Sequence, residues 1–284
     1  SSGGVALATL FNILDGFDLD ALPPVTRVHL KVEAMRRAYY DRARYLGDSD
    51  MVDVPVARLV SPQHAEQWRA GIRMDAATPS SSLGEGEAGG GSFHTTHFSI
   101  LDTEGNRVAA TLSINYPFGS GFVAPGTGIL LNDEMDDFSA RPGTPNVYGL
   151  VGGEANAIAP GKRMLSSMSP TFVENEERLA ILGTPGGSRI ITMVFHGINT
   201  FIDGGDATTI VTTPRYHHQY LPDLIQYEPD AFDADTIAEL RLLGHEFKPI
   251  ENGFGNMQAV VWEREAGEIT AASDPRGEGT ARVR

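Results

Sequence analysis

Cysteine is absent from all 284 residues, which excludes disulfides, thiolate metal sites and a cysteine nucleophile together. Basic residues are scarce: 22 Lys and Arg against 37 Asp and Glu leave a formal charge of -15 and a pI near 4.9. A polyanion would approach such a chain against repulsion, so neither nucleic acid nor an anionic membrane is expected as a partner. No run of about eighteen apolar residues occurs, so no segment of this chain is expected to cross a membrane. The opening residues also lack the basic-then-apolar layout of a signal peptide. The chain starts at Ser1 rather than Met, and the expectation is a truncated or processed piece of something longer.

What is present is ordinary globular material, 41% hydrophobic and 21% charged, with length enough for a sizeable core. SSGGVALATLFNILDGFD carries Val5, Leu7, Leu10, Phe11 and Leu14 near helical spacing up to Gly16, which predicts a buried helix. VTRVHLKVEAMRRAYYDRARYLGD sets Val28, Val32, Met35 and Tyr39 on one face and basic residues on the other, an amphipathic helix. Ser61-Pro62 opens a further helix with an N-cap and a first-position proline. Later helices are expected at about 188–203 and 234–243, in a chain that turns β-rich after the first third. Before the β-rich part, Pro79 to Ser92 collapses to Ser, Gly, Glu and Ala, with almost nothing apolar to bury, and is expected to be mobile.

Beyond that run, Phe98, Ile100, Val108, Ala110, Leu112 and Ile114 alternate with Thr95, His97, Ser99, Thr111, Ser113 and Asn115, which reads as a hairpin with its apolar face buried. For both apolar sets to share a face the loop must be odd, and Thr103-Glu104-Gly105 supplies a three-residue loop with Gly where φ is positive. Counting back sets Thr95 opposite Ser113, with Asn115 just beyond on the same face. A threonine at the start of a strand beside a second hydroxyl and a carboxamide suits an N-terminal nucleophile. If the bond from His94 to Thr95 is cut, the freed α-amine becomes a base next to a hydroxyl that is a poor nucleophile alone. On the pattern alone, an ordinary threonine-rich hairpin after a loop is the better reading.

The stretches TTHFSILDTEGNRVAATLSIN, FGSGFVAPGTGILLNDEMDDFS, PNVYGLVGGEAN, GKRMLSSMSPT, GTPGGSRIIT and PRYHHQYLPD together resemble the γ-glutamyltransferases, members of the N-terminal-nucleophile hydrolases. The resemblance runs in family order over nearly the whole chain. It implies an α+β four-layer αββα sandwich, with 1–94 the C-terminal part of a large subunit ending in a flexible linker and 95–284 the small subunit. The N-terminal part of the large subunit, with the arginine that grips the donor α-carboxylate, would lie upstream of Ser1.

The same resemblance makes Thr95 the self-cleavage and catalytic nucleophile, attacking the γ-carbonyl of a glutathione-like donor and passing the acyl group to water or an amino acid. Ser113 stands where the family often has threonine and keeps its hydroxyl. Asn115, Glu134 and Asp137 would hold the donor's α-amino group; many bacterial members carry glutamine where Glu134 stands. Read alone, the acidic run fits a solvated turn or a Ca²⁺ loop. Ser166 and Ser167 would bind the α-carboxylate, with Met164 where proline is more usual. Gly186 and Gly187 would present backbone N–H groups to the oxyanion, although an isolated PGG is only a turn signal. Tyr148 would be the lid aromatic over the donor. No cofactor is implied and no metal is expected: the HTTH histidines, three apart on a strand, face opposite sides, and His217-His218 belong to a motif that looks structural. The alternatives are a related acylase acting on glutaryl β-lactams or poly-γ-glutamate, against which Glu134, Asp137 and both serines argue, and a non-enzymatic binding relative, against which Thr95, Ser113, Asn115 and the double glycine argue. The family's habit suggests a periplasmic or secreted protein.

Overall fold

The computed structural model describes residues 1–84, 95–146, 150–251 and 253–284. The chain folds into two compact units, each assembled from separate stretches: unit 1 from Ser1–Gly91, Met135–Ser166 and Tyr216–Glu251, unit 2 from Ser92–Glu134, Ser167–Arg215 and Asn252–Arg284.

In unit 1, α1 (Gly3–Leu14) is mainly apolar and packs on α2 (Pro24–Tyr45) and α4 (Pro62–Ala70). The cap expected at Ser61 is present, its side chain accepting the His64 backbone N–H. A short α3 (Val56–Leu59) precedes it, and α7 (Ala234–Leu242) lies against α2. Strands β5 (Tyr216–His217) and β6 (Ile225–Tyr227) pair antiparallel, and β6 pairs parallel with β7 (Phe247–Pro249).

Helix α2 departs from the amphipathic expectation. Glu33, Arg36, Arg37, Asp41 and Arg42 are buried as fully as Val32 and Met35. Charges survive burial only when paired and hydrogen-bonded, as Glu33, Arg36 and Arg37 are. Glu33 meets both Arg36 and Arg37, and Arg36 also meets Asp223 and Ser80 Oγ. The same network corrects part of the linker expectation: Ser80 is fully buried in a 3-10 turn, its N–H donating to Asp223 Oδ2 at 2.7 Å. Polar composition there serves ion-pair partners rather than mobility. The rest of that run, 85–94, lies outside the described residues.

Unit 2 holds a hairpin, a sheet and a helical layer. The hairpin is β1 (Thr95–Leu101) with β2 (Arg107–Ser113). The sheet runs in the order β3 (Thr171–Glu174), β4 (Arg178–Gly183), β8 (Gln258–Glu263), β9 (Glu268–Ser273), antiparallel throughout. β1 packs on β4 and β8, while α5 (Ile190–Ile202) and α6 (Ala207–Thr212) pack on β4, β8 and β9. β4 lies between these layers, and Leu179 to Leu182 are buried on both faces.

The hairpin's register agrees with the parity argument: Thr95 pairs Ser113 and Leu101 pairs Arg107, and Gly105 turns the loop at φ +84°. Its orientation does not. Phe98, Ile100, Val108, Leu112 and Ile114 are 37–56% exposed, whereas His97 is buried and Ser99 Oγ donates to the Gln258 carbonyl. Parity decides which residues share a face; what packs on that face decides burial. In this chain the sheet covers the polar side. The α+β class stands, with two sheets and one helical layer inside unit 2.

Candidate functional site

Thr95 opens β1, and its Oγ1 lies 3.2 Å from Ser113 Oγ across the ladder. Ser113 Oγ also accepts the Asn115 backbone N–H at 2.8 Å. Asn115 is buried with φ +69°, a left-handed conformation that asparagine tolerates better than most residues. Its carboxamide donates to the Asp133 carbonyl at 3.3 Å, and Asp133 Oδ1 accepts the Tyr116 N–H at 3.0 Å. The chain leaving β2 is thus folded back onto the start of the acidic run, and Asp133 supplies the clasp. Asp133 lay unassigned in the sequence; the signal available was its place at the head of that run.

Two residues along β1, His97 fills the space over Gly183, where an added Cβ would stand 2.3 Å from the ring. Its Nδ1 pairs with Thr111 Oγ1 at 2.8 Å and its Nε2 with Ser99 Oγ at 3.1 Å. Burial lowers its pKa to about 4, so it stays neutral at physiological pH and holds the hairpin on the sheet by hydrogen bonds.

The acidic run forms a 3-10 turn, Glu134–Asp137. Glu134, in unit 2, buries Oε1 without a hydrogen-bond partner among the described residues, an arrangement that costs free energy unless a cation or donor arrives. Asp137 falls in unit 1. There the Asp137 carbonyl accepts Asn156 Nδ2 at 2.7 Å, and its charge acts on Arg42, whose pKa burial pulls down and which Asp137 partly restores. Arg42, Asp137, Asn146 and Asn156 line a cavity of about 190 Å³ in unit 1. Of the paired serines, Ser166 belongs to unit 1, its carbonyl accepting Ser2 N–H at 2.8 Å and Ser2 Oγ at 2.7 Å. Ser167 belongs to unit 2, is buried, and accepts Ser169 Oγ at its carbonyl.

Gly186 and Gly187 both have positive φ, +148° and +55°, and Gly187–Arg189 forms the 3-10 turn that opens α5. A Cβ on Gly186 would stand 2.2 Å from Met193 Cε. Both backbone angles favour glycine, and the first N–H groups of a helix lack intrahelical acceptors, an arrangement suited to holding an anion. Tyr148 lies outside the described residues. A separate cavity of about 950 Å³ in unit 2 runs along β1 from Thr96 into the hairpin loop at Thr103, beside β8 and β9, and leaves Thr95 and Ser113 aside.

For metal binding, His29, Glu33 and His245 bring ligating atoms within 4.8 Å of one another. Glu33 is already held by Arg36, Arg37 and Thr78, and His29 Nδ1 meets His245 Nε2 at 2.8 Å. Two neighbouring guanidiniums make this donor set a poor one for a further cation. His217 and His218 are fully buried and bonded to Gln219 and Asp223, a structural use.

The nucleophile candidate, its hydroxyl neighbour, Asn115, Glu134, Ser167 and the glycine pair therefore sit in unit 2, and Asp137 and Ser166 in unit 1. A family model described as gamma-glutamyltranspeptidase matches residues 1–283. The chain is 44% identical to a glutathione hydrolase proenzyme of Pseudomonas aeruginosa, over 100% of this chain and 51% of that protein. It is 36% identical to an acylase ACY 1 proenzyme of a Pseudomonas species, over 99% of this chain and 48% of that protein. The solved gamma-glutamyltranspeptidase of Pseudomonas nitroreducens complexed with L-DON superposes with a TM-score of 0.61 at 46% identity, covering 66% of this chain and 99% of that one. The chain spans about half the length of the curated relatives it matches.

Proposed function

Because the chain belongs to the gamma-glutamyltranspeptidase family, we propose that the longer protein containing it cuts itself before Thr95 and then transfers the γ-glutamyl group of glutathione-like donors. The observation that carries this reading is Thr95 Oγ1 at 3.2 Å from Ser113 Oγ on the first rung of the hairpin, with the Asn115 N–H on the same hydroxyl. An N-terminal threonine needs its hydroxyl fixed while its freed α-amine takes the proton.

In self-cleavage, Thr95 Oγ1 adds to the carbonyl carbon of His94, the C–N bond breaks to leave an ester and the Thr95 amine, and water hydrolyses the ester. In turnover, the amine accepts the Oγ1 proton as the oxygen attacks the donor's γ-carbonyl. The Gly186 and Gly187 N–H groups stabilise the oxyanion. The amide C–N bond then breaks, and the leaving amine takes the proton from the Thr95 ammonium. Water or an amino-acid amine next attacks the ester, releasing glutamate or the γ-glutamyl transfer product and restoring the Thr95 hydroxyl. Asn115, Glu134 and Asp137 are assigned to the donor's ammonium, Ser166 and Ser167 to its carboxylate, and Tyr148 to the lid. The unpartnered Glu134 oxygen supports an ammonium ligand.

Residues 1–94 and 95–284 would become parts of two subunits. The exposed apolar face of β1 and β2 would be covered by the upstream half of the polypeptide, which the relatives' greater length supports. The periplasm or the exterior is the expected site of action, checked by cell fractionation. The acylase relative favours a second reading, in which the same nucleophile acts on glutaryl amides. Equal rates on glutaryl- and γ-glutamyl-anilides would select it.

The deciding experiment expresses the full-length protein, wild type and Thr95→Ala, and reads intact masses and the N-termini of fragments. A fragment starting Thr95-Thr96-His97 in wild type alone, with γ-glutamyl-anilide cleavage, is expected. Normal cleavage in Thr95→Ala overturns the assignment.

A further inference from the structure

Asn156 closes the PNVYGLVGGEAN motif, and no role for it follows from the sequence. In unit 1 it is 5% exposed and every arm of it is used. Its Nδ2 donates to the Asp137 carbonyl at 2.7 Å, and its Oδ1 accepts the Leu165 N–H at 3.0 Å. Its backbone carbonyl accepts the Ser139 N–H at 2.9 Å, and its own N–H donates to the Gly153 carbonyl at 3.1 Å. One side chain therefore clamps the turn ending in Asp137 to the segment that runs directly into Ser166. The amide orientation is set by this network, since flipping it would put oxygen against the Asp137 carbonyl and NH₂ against the Leu165 N–H. Only a carboxamide can donate to one side and accept from the other at this reach.

A second connection runs in parallel. Arg42, buried beside Asp137, donates from Nε to Ser2 Oγ at 3.0 Å, and Ser2 Oγ donates to the Ser166 carbonyl at 2.7 Å. Arg42, Asp137 and Asn156 line the same cavity.

We infer that Asn156 is a positioning residue that fixes the spacing between Asp137 and Ser166, and so sets how tightly the donor's amino-acid head group is held. This rests on the donor roles proposed above for those two residues. Recognition of an ammonium and a carboxylate on one carbon depends on that spacing, whereas the hydroxyl chemistry at Thr95 does not.

The test uses the full-length protein and γ-glutamyl-anilide, with Asn156→Asp, Asp137→Asn and the double variant. Asn156→Asp keeps the size and the acceptor for Leu165 but sets a second oxygen against the Asp137 carbonyl. Loss of a buried bond of this kind corresponds to about a tenfold change. The expected result is a donor KM raised about tenfold, kcat and self-cleavage within about threefold of wild type, and a double variant no worse than Asp137→Asn alone, as for residues acting through one another. An unchanged KM, a loss confined to kcat, or additive effects overturns the inference. Wild-type protein that cleaves the anilide while Asn156→Asp matches it defeats this inference alone. Wild-type protein with no such activity defeats the functional reading beneath it. Should Asn156→Asp not yield cleaved protein, Asn156→Ser, whose short hydroxyl cannot span both partners, is measured in the same way, and an unchanged KM again overturns it.

Discussion

Replacing Glu33 by glutamine is expected to loosen unit 1 more than any surface change. The carboxylate is fully buried and takes Arg37 Nη1 and Thr78 Oγ1 at 2.5 Å, the Thr78 N–H at 3.0 Å and Arg36 Nε at 3.3 Å. Removing one member of such a buried set strands the other charges, at a cost of about 3–5 kcal/mol. The pH dependence gives an independent magnitude. Burial pushes the Glu33 carboxyl up, but the Arg36 and Arg37 charges and the Thr78 hydrogen bonds outweigh it and lower the pKa from 4.5 to about 2. A lowered pKa means that the unfolded chain binds the proton more readily. The associated stability, about 3 kcal/mol, is present above pH 4.5 and is lost as pH falls from there towards 2. Glu33→Gln has no such proton to bind, so the gap between the two proteins should narrow in acid. Urea titrations at pH 3, 5 and 7, read by hydrogen exchange of peptides covering α2, measure both effects. A variant within about 1 kcal/mol of wild type at pH 7, or a gap that widens in acid, would refute the reasoning.

Two other perturbations test the site itself. Ser113→Ala removes the hydroxyl shared by Thr95 and Asn115 and should slow self-cleavage and turnover by about tenfold to a hundredfold, the worth of one hydrogen bond near developing charge; unchanged single-turnover rates would dismiss that hydroxyl. Gly186→Ala sets a Cβ into Met193 at a backbone angle unsuited to side chains and should cost about 1–3 kcal/mol of stability together with most of kcat, read by thermal unfolding and steady-state rates; full activity would remove the glycine pair from the oxyanion role.

The hairpin register was legible because it depends on parity and on a single glycine, both local. The direction in which the hairpin faces was not, since Leu112 and Ile114 are apolar whichever neighbour lies over them. Helix α2 misled for a related reason. Glu33 lies one turn from Arg36 and Arg37 on the same helix, but Arg36 and Arg42 look solvent-facing until Asp223 and Ser2 are brought to them by the fold. The hydroxyl, carboxamide and glycine residues could be named by motif, but Asn156 could not. Its importance lies in two backbone groups, at Asp137 and Leu165, that carry no side-chain signature.

Unit 1 draws its core from both sides of the bond between His94 and Thr95. Arg36 and Ser80 from before that bond are tied to Asp223 after it, Asp48 to Arg163, and the Ala43 carbonyl to the Gly153 N–H at 2.7 Å. If the bond is cut, the two fragments share a buried interior, in which Leu165 also clusters with Leu46 and Leu59, rather than a mere interface. Separating them would then require unit 1 to unfold, so dilution alone should not dissociate them. Fragments from differently labelled molecules should exchange no faster than unit 1 opens.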